Sequence, residues 1–171
     1  ESASITVKSG TWRMIYAGGY RGCVNGTAKL DVSNASIYAG IYAAYVGNVG
    51  TFEMSITDTT VSTAGIFAGT YTANVPHKIG AVLEGSTVML GKNVVSPAVY
   101  GSARVYGNIK GGATIVANGV DLSTDVSGIG RDDTYTNYLT KYADVGAGKE
   151  EIVLDIAAFE VNCRRACCDN D

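Results

Sequence analysis

Two short segments decide the fold: Val32-Ser-Asn-Ala-Ser-Ile37 and, shortly after it, Ile41-Tyr42-Ala-Ala-Tyr45. The first places two apolar residues five positions apart around small and polar residues, and the same pattern begins again at Val7, Ile56, Leu83 and Ile115. The second motif begins again at Ile15, Ile66 and Val99. Two motifs that recur in the same order, at intervals of about 24 to 33 residues, indicate an internal repeat.

The period and chemistry of this repeat predict an all-β parallel solenoid, or β-helix, of about five coils. A coil of this length cannot bury its apolar face alone, so neighbouring coils must stack. We expect one interior ladder at Val7, Val32, Ile56, Leu83 and Ile115. Gly, Asn and Asp are expected at the corners, where the chain needs positive φ. The alternative is an antiparallel β-sandwich, which has no reason to repeat two motifs in register.

The 171 residues are enough for one domain. Residues 1–125 are predicted to form the solenoid repeats, and residues 126–171 a C-terminal loop and capping segment of the same domain. Within that segment, residues 150–165 fit a strand or one helix face, and the alternation of Phe159, Val161 and Cys163 with polar residues favours the strand.

Charge and hydropathy argue against nucleic-acid binding and against a membrane-spanning helix. The net charge is −3, with only 17% charged residues, whereas a nucleic-acid-binding protein usually carries a basic patch. No apolar run approaches the roughly 20 residues of a membrane-spanning helix. We therefore expect neither nucleic-acid binding nor a membrane span.

The Gly-rich turns and segments such as Ile15-Tyr-Ala-Gly-Gly-Tyr20 resemble the β-helical repeat regions of bacterial cell-surface and autotransporter-like proteins. The resemblance covers roughly residues 3–125 and is one of repeat style. It implies a secreted or cell-surface location and a role as a scaffold or adhesin.

Residues that carry catalytic chemistry are sparse. His77 is the single histidine and follows a proline in a loop without a nucleophile motif, so a solvated loop residue is expected. Polysaccharide-acting β-helix enzymes use acids on an outer face, and the candidates here are Asp31, Asp58 and Glu84. Their positions relative to the anchors differ, which favours solubilising surface charge. We expect no enzymatic activity.

The densest acidic stretch spans the end of the predicted repeats and the start of the C-terminal segment, and consists of Asp121, Asp125, Asp132 and Asp133. Carboxylates of this kind can bind Ca²⁺, but neither an EF-hand loop nor a calcium-binding nonapeptide is present. A polar loop is the favoured interpretation. No metal and no cofactor are expected.

An aromatic column is the strongest candidate for a ligand or partner surface. If the Ile and Val of the second motif point inward, their neighbours Tyr16, Tyr42, Phe67 and Tyr100 point outward on one face. Coils stack about 4.8 Å apart, so the four rings would form a column. Such a column can bind sugar rings or a protein, or it simply stabilises the solenoid.

Four cysteines, Cys23, Cys163, Cys167 and Cys168, do not match a zinc pattern and suit disulfides of a secreted module. Cys163 with Cys167 or Cys168 is the local candidate. Cys23 pairs with the tail only if the tail folds back along the solenoid. Otherwise it pairs with a neighbouring chain stacked head to tail, which can propagate as a filament, or remains a buried thiol.

These observations predict a non-catalytic extracellular structural or adhesive scaffold. Its expected partner is either further copies of itself, in a head-to-tail homo-oligomer, or a glycan or protein bound at its surface. The alternative is a carbohydrate-binding or polysaccharide-degrading β-helix protein.

Overall fold

The computed structural model describes residues 1–20, 22–45, 47–71, 79–101, 104, 107–117, 125–127, 141–144, 152–156 and 164–165. Every regular element in these residues is a strand. In chain order the strands are β1 (Ala3–Val7), β2 (Gly10–Tyr16), β3 (Val24–Ser33), β4 (Ala35–Tyr42), β5 (Val49–Thr57), β6 (Thr60–Val61), β7 (Gly65–Phe67), β8 (Ile79–Leu90), β9 (Ala98–Tyr100), β10 (Gly107–Ile109), β11 (Ala113–Ala117), β12 (Asp125–Ser127), β13 (Lys141–Asp144), β14 (Ile152–Ile156) and β15 (Arg164–Arg165). Val, Ile, Thr and Tyr recur in these segments because such side chains fit a pleated surface.

The strands form two sheets, and each coil contributes to both. The first sheet has the order β1-β3-β5-β8-β11-β14, and the second has the order β13-β12-β9-β7-β4-β2. Strands of successive coils are parallel, from β1 to β11 in the first sheet and from β2 to β12 in the second. The chain is therefore the predicted β-solenoid, with about four turns. The alternative prediction, an antiparallel β-sandwich, is wrong.

Apolar ladders fill the space between the sheets. One ladder runs in register through Val7, Val32, Ile56 and Leu90, which are all buried. The next runs through Ile5, Leu30, Met54, Val88 and Ile115. Each fully buried large apolar side chain contributes about 1.5–3 kcal/mol, so these ladders hold neighbouring coils together.

The predicted ladder is correct for its first three members, Val7, Val32 and Ile56. It is wrong for its last two members, Leu83 and Ile115. Leu83 pairs with Val49, and Ile115 pairs with Val88. The cause is the length of β8, which continues for seven residues beyond Leu83 before the chain reaches the corner after Leu90. In the second coil the two apolar residues of the motif, Val32 and Ile37, lie on either side of the corner, whereas Leu83 and Val88 both lie within β8. The sequence pattern is the same in both cases and does not show where the corner is.

The corner between the two sheets uses positive φ, as expected. Asn34 and Asp58 occupy it in successive coils with φ of 50° and 46°, and Asn93 has a φ of 54° in the next. The Asn93 amide donates a hydrogen bond to the Asp58 carboxylate over 2.7 Å. In the first coil Gly10, the register partner of Ala35, has a φ of 107° at the start of β2. Asn, Asp and Gly are the residues that tolerate this region.

The C-terminal segment folds back on the solenoid. β14 pairs with β11 and β13 with β12, both antiparallel, so they cover the edges of the last coil. β15 returns further and pairs with β8. The strand prediction for residues 150–165 is thus confirmed for β14 and β15, whereas residues 157–163, with Phe159 and Val161, lie outside the described part of the chain. Because β15 lies beside β8, the tail does return along the solenoid, which is the condition for a Cys23 disulfide within one chain.

Candidate functional site

The predicted aromatic column forms. The neighbouring rings of Tyr16 and Tyr42 lie 5.6 Å apart between centroids, those of Tyr42 and Phe67 4.8 Å, and those of Phe67 and Tyr100 4.5 Å. The planes are inclined by 27°, 15° and 15°, so all three contacts are stacked. These separations follow the spacing of strands in a sheet, because the four residues occupy equivalent positions in successive coils. We call this set the inner stack.

The inner stack lies on the outer side of the second sheet, yet it is covered. Tyr42 is 0% exposed, Phe67 2% and Tyr100 6%, while Tyr16 is half-buried. The rings form an apolar cluster separate from the core between the sheets. The expectation that these residues present an open surface is therefore not met at three of the four positions, and their predicted role toward a ligand or partner stays a prediction.

A second set of rings covers the first. Tyr20 stacks on Tyr45 with centroids 4.2 Å apart and planes 8° apart, and Tyr45 stacks on Tyr71 at 5.0 Å and 13°. Tyr71 meets Tyr42 edge-on at 5.2 Å and 90°. We call Tyr20, Tyr45 and Tyr71 the outer stack. Its edge-to-face contact with the inner stack is a favourable aromatic geometry.

The outer stack was missed from the sequence although a signal for it exists. Tyr20, Tyr45 and Tyr71 each follow a ring of the inner stack by three or four residues. A tyrosine that recurs at this distance in three coils indicates a second column. Its contact with the first column could not be deduced, because the chain bends between the two positions.

Arg104 occupies the corresponding position in the fourth coil. Its guanidinium carbon lies 4.9 Å from the centroid of the Tyr71 ring, which is a cation–π contact. One guanidinium nitrogen donates to the Tyr42 hydroxyl over 3.4 Å, and the backbone N–H of Arg104 donates to the Thr70 carbonyl over 2.8 Å. Arg104 therefore ends the outer stack and ties it to the inner one.

The hydroxyl of Tyr16 is held in an apolar, tyrosine-rich setting. It donates to the sulfur of Met14 over 3.0 Å. Burial, followed by the neighbouring Tyr42 and Tyr71, raises the pKa of Tyr16 well above its ordinary value. The phenol therefore stays protonated at neutral pH, and its environment suits packing more than proton transfer.

Glycine makes room for the inner stack. A Cβ on Gly40 would lie 2.7 Å from the Tyr42 hydroxyl oxygen and 2.8 Å from the Gly65 carbonyl oxygen. Contacts this short force a shift of the ring or of the backbone. The pairing of Gly40 with Gly65 in neighbouring coils thus lets the ring of Tyr42 lie close to its own strand.

A shallow groove crosses the outer face of the first sheet. Its volume is about 240 Å³, and its lining includes Lys29, Asp31, Glu53, Ser55 and Met89. Lys29 and Glu53 are register partners, and the Lys29 ammonium lies 4.0 Å from the Asp31 carboxylate. Two acids and one base beside the half-exposed Met89 form a mixed polar and apolar surface. Asp31 was a candidate from the sequence and Glu53 was not, because only the strand register brings Glu53 into the same groove as Asp31.

The three predicted acids are not brought into one site. Asp31 lines the groove. Asp58 lies at a corner and accepts the hydrogen bond from Asn93. Glu84 forms an exposed salt bridge with Lys110, with nitrogen and oxygen 3.2 Å apart. Exposed pairs of this kind contribute little to stability.

Several predicted residues lie outside the described part of the chain: His77, Asp121, Asp132, Asp133, Cys163, Cys167 and Cys168. Asp125 is described only as the first residue of β12. Cys23 is half-buried just before β3. The disulfides therefore stay predictions. Within the described ranges, no three His, Cys, Asp or Glu side chains lie close enough together to hold a metal ion.

Comparison with protein-family models, with curated proteins and with solved structures gave no match for this chain. Among the residues that the structure describes, no helix is long and apolar enough to cross a membrane.

Proposed function

We propose that the protein is a non-catalytic structural or adhesive scaffold, secreted or held at the cell surface. The observation that supports this best is the double aromatic stack. Both recurring motifs supply residues that stack coil upon coil: the first the interior ladders, and the second the inner and outer stacks. The repeated residues thus hold neighbouring coils rigidly together, and rigidity is the property that a scaffold needs.

The energetics of a solenoid support the same role. Each coil contacts only its neighbours, so stability grows with each added interface. Every stacked aromatic pair adds about 0.5–1.5 kcal/mol beyond the area that it buries. The described rings make five stacked and three edge-on contacts. A short rod reinforced in this way resists deformation along its length.

The extracellular location rests on the resemblance in repeat style to cell-surface β-helical regions. Labelling of intact cells from the natural source with an antibody against the chain tests it directly. We expect surface labelling that protease treatment of intact cells removes. Labelling only after permeabilisation would contradict the proposed location.

Carbohydrate binding or cleavage is the second candidate, and the groove on the first sheet favours it. Asp31 and Glu53 present two carboxylates beside Lys29 and the exposed Met89. This combination of polar groups and apolar surface is what sugar recognition requires.

A glycan array and a polysaccharide depolymerisation assay separate the two candidates. The scaffold proposal predicts no cleavage by the native chain. Cleavage that Glu53→Gln abolishes, and that the control Glu84→Gln leaves unchanged, would overturn it. Glu84 is a suitable control because it is an exposed acid of the same sheet that pairs with Lys110 outside the groove. Binding without cleavage, lost only in Glu53→Gln, would support an adhesive scaffold that binds glycans.

A further inference from the structure

The strand register builds the groove on the outer face of the first sheet. Ser55 forms its floor, because this short side chain lies on the middle one of three neighbouring strands, between Asp31 of β3 and Met89 of β8. Lys29 and Glu53, which are register partners, stand beside that row. Inward and outward side chains alternate along β3 and β5, and Lys29, Glu53 and Met89 are exposed. The groove therefore lies where one short side chain is surrounded by longer ones.

A second depression adjoins the groove and shares two residues with it. Its volume is about 290 Å³, and its lining includes Lys8, Ser33 and Thr57 together with the shared Asp31 and Ser55. From the register of the lining residues, the two centres are one strand and two residues apart, which corresponds to about 8 Å in a sheet. We call the groove and this depression together the trough. It crosses the strands obliquely.

We propose that the trough binds a linear, neutral oligosaccharide of at least two sugar rings, with one ring in each depression. This proposal rests on the adhesive role proposed above and specifies the ligand class of that scaffold. Asp31 lines both depressions, so its carboxylate accepts hydrogen bonds from hydroxyls of both rings. The ligand lies across the strands and contacts several coils at once.

The side chains of the groove match the groups that a sugar presents. The Glu53 carboxylate is exposed, and within the described part of the chain it has neither an ion pair nor a hydrogen bond. A carboxylate of this kind has two oxygens with which to accept bonds from neighbouring hydroxyls. The Ser55 and Thr87 hydroxyls can donate or accept. Met89 is 49% exposed and supplies apolar surface for the C–H face of a ring.

The charges of the trough favour a neutral ligand. Its acids are Asp31 and Glu53, and its bases are Lys8 and Lys29, so the two signs balance. The Lys29 ammonium already lies 4.0 Å from the Asp31 carboxylate. An anionic sugar would therefore meet the Glu53 carboxylate without a free base beside it, and like charges that face each other weaken binding.

The backbone beneath the trough argues against an extended peptide. Such a peptide gains its affinity by adding a strand to an open sheet edge. β3 pairs with β1 and β5, β5 also pairs with β8, and β8 also pairs with β11. These three strands have partners on both edges, so recognition here depends on side chains alone.

An NMR titration of the isotope-labelled 171-residue chain tests the proposal. The probes are the neutral trisaccharides cellotriose, maltotriose, xylotriose and mannotriose, and trigalacturonate is their anionic counterpart. At least one neutral probe should shift the backbone amides of Asp31, Ser55 and Met89 together, whereas trigalacturonate should leave them in place. Probe concentrations up to about 10 mM reveal even a millimolar Kd.

Ser55→Leu fills the floor of the groove from the outer face of the sheet and should weaken binding of that probe at least about tenfold. Ser36→Leu is the matched control, because Ser36 is an exposed serine of β4 in the second sheet. It should bind the probe as the native chain does. Thermal melts check that both variants are folded, and the amide shifts of the native chain locate the site independently of either variant.

Three results would overturn the proposal: no amide shift with any neutral probe, tighter binding of trigalacturonate than of the neutral probes, or equal affinity of folded Ser55→Leu and the native chain. Shifts confined to the second sheet would also overturn it and would locate glycan binding elsewhere on the scaffold. Surface labelling of intact cells tests the scaffold role separately, so a failure of the trough is distinguishable from a failure of the proposed function.

Discussion

Removing one ring from the middle of the inner stack tests whether the stack holds the coils together. Phe67 is 2% exposed and lies between Tyr42 at 4.8 Å and Tyr100 at 4.5 Å. Truncation of a buried phenylalanine to alanine costs about 3–5 kcal/mol. Because Phe67→Ala also removes two stacked contacts, we expect about 4 kcal/mol or more. For a chain of this size each kcal/mol lowers Tm by about 2–4 °C, so Tm should fall by about 8–16 °C.

Thermal melts followed by circular dichroism measure this loss, with two controls. Phe67→Leu keeps most of the apolar volume and removes only the ring contacts, so it should cost about 1–3 kcal/mol. Tyr38→Ala removes a ring that is 64% exposed and should change stability by no more than about 0.5 kcal/mol. If Phe67→Ala melted like the Tyr38→Ala control, the inner stack would not hold the solenoid together. A Phe67→Leu variant as unstable as Phe67→Ala would assign the effect to ring stacking alone.

Four further predictions concern other parts of the fold. Ile56→Asp places an unpaired charge in the core ladder and should destabilise the chain by more than about 4 kcal/mol, seen as loss of the cooperative melt; a melt close to that of the native chain would contradict the interior ladder. Gly40→Ala should cost about 1–3 kcal/mol, because its Cβ would displace the Tyr42 hydroxyl; near-ultraviolet circular dichroism should report the altered ring, and an unchanged spectrum would count against this contact. Burial raises the pKa of Tyr16 above the ordinary value of 10.0, so the unfolded chain loses that proton first as pH rises; stability should be complete below about pH 10 and decrease above it, whereas denaturant melts that stay constant there would disagree. Cys23 should form a disulfide with a tail cysteine within one chain, because β15 returns along the solenoid; non-reducing electrophoresis should show a single monomeric band with Cys23 in a linked peptide, and a ladder of covalent multimers would indicate pairing between chains.

The parts of the fold that sequence predicted well are those that depend on local spacing. In the first three coils the anchors Val7, Val32 and Ile56 are separated by a nearly constant interval, and they are register partners in the structure. The same holds for the inner stack, whose members occupy one place in a repeated motif. In a solenoid each residue contacts its equivalent in the next coil, so a repeat in sequence is a repeat in contacts.

The prediction fails where coils differ in length. Leu83 matches the motif, but β8 continues to Leu90 before the corner, so Leu83 pairs with Val49. Spacing along the chain records where apolar residues lie and does not record where the backbone bends. Only the register between coils shows that Leu90, and not Leu83, continues the ladder beyond Ile56.

For the candidate sites, the place that four aromatic residues share in the repeat was enough to predict that their rings form a column. The cover over this column could not be predicted, because the outer stack and Arg104 come back over it after a bend whose direction no local pattern specifies. The groove on the first sheet is likewise a product of register, which places Glu53 opposite Lys29 although they are distant in sequence. Ring spacing follows from the repeat, whereas exposure to solvent depends on which distant segments pack above it, and that is a property of the folded chain alone.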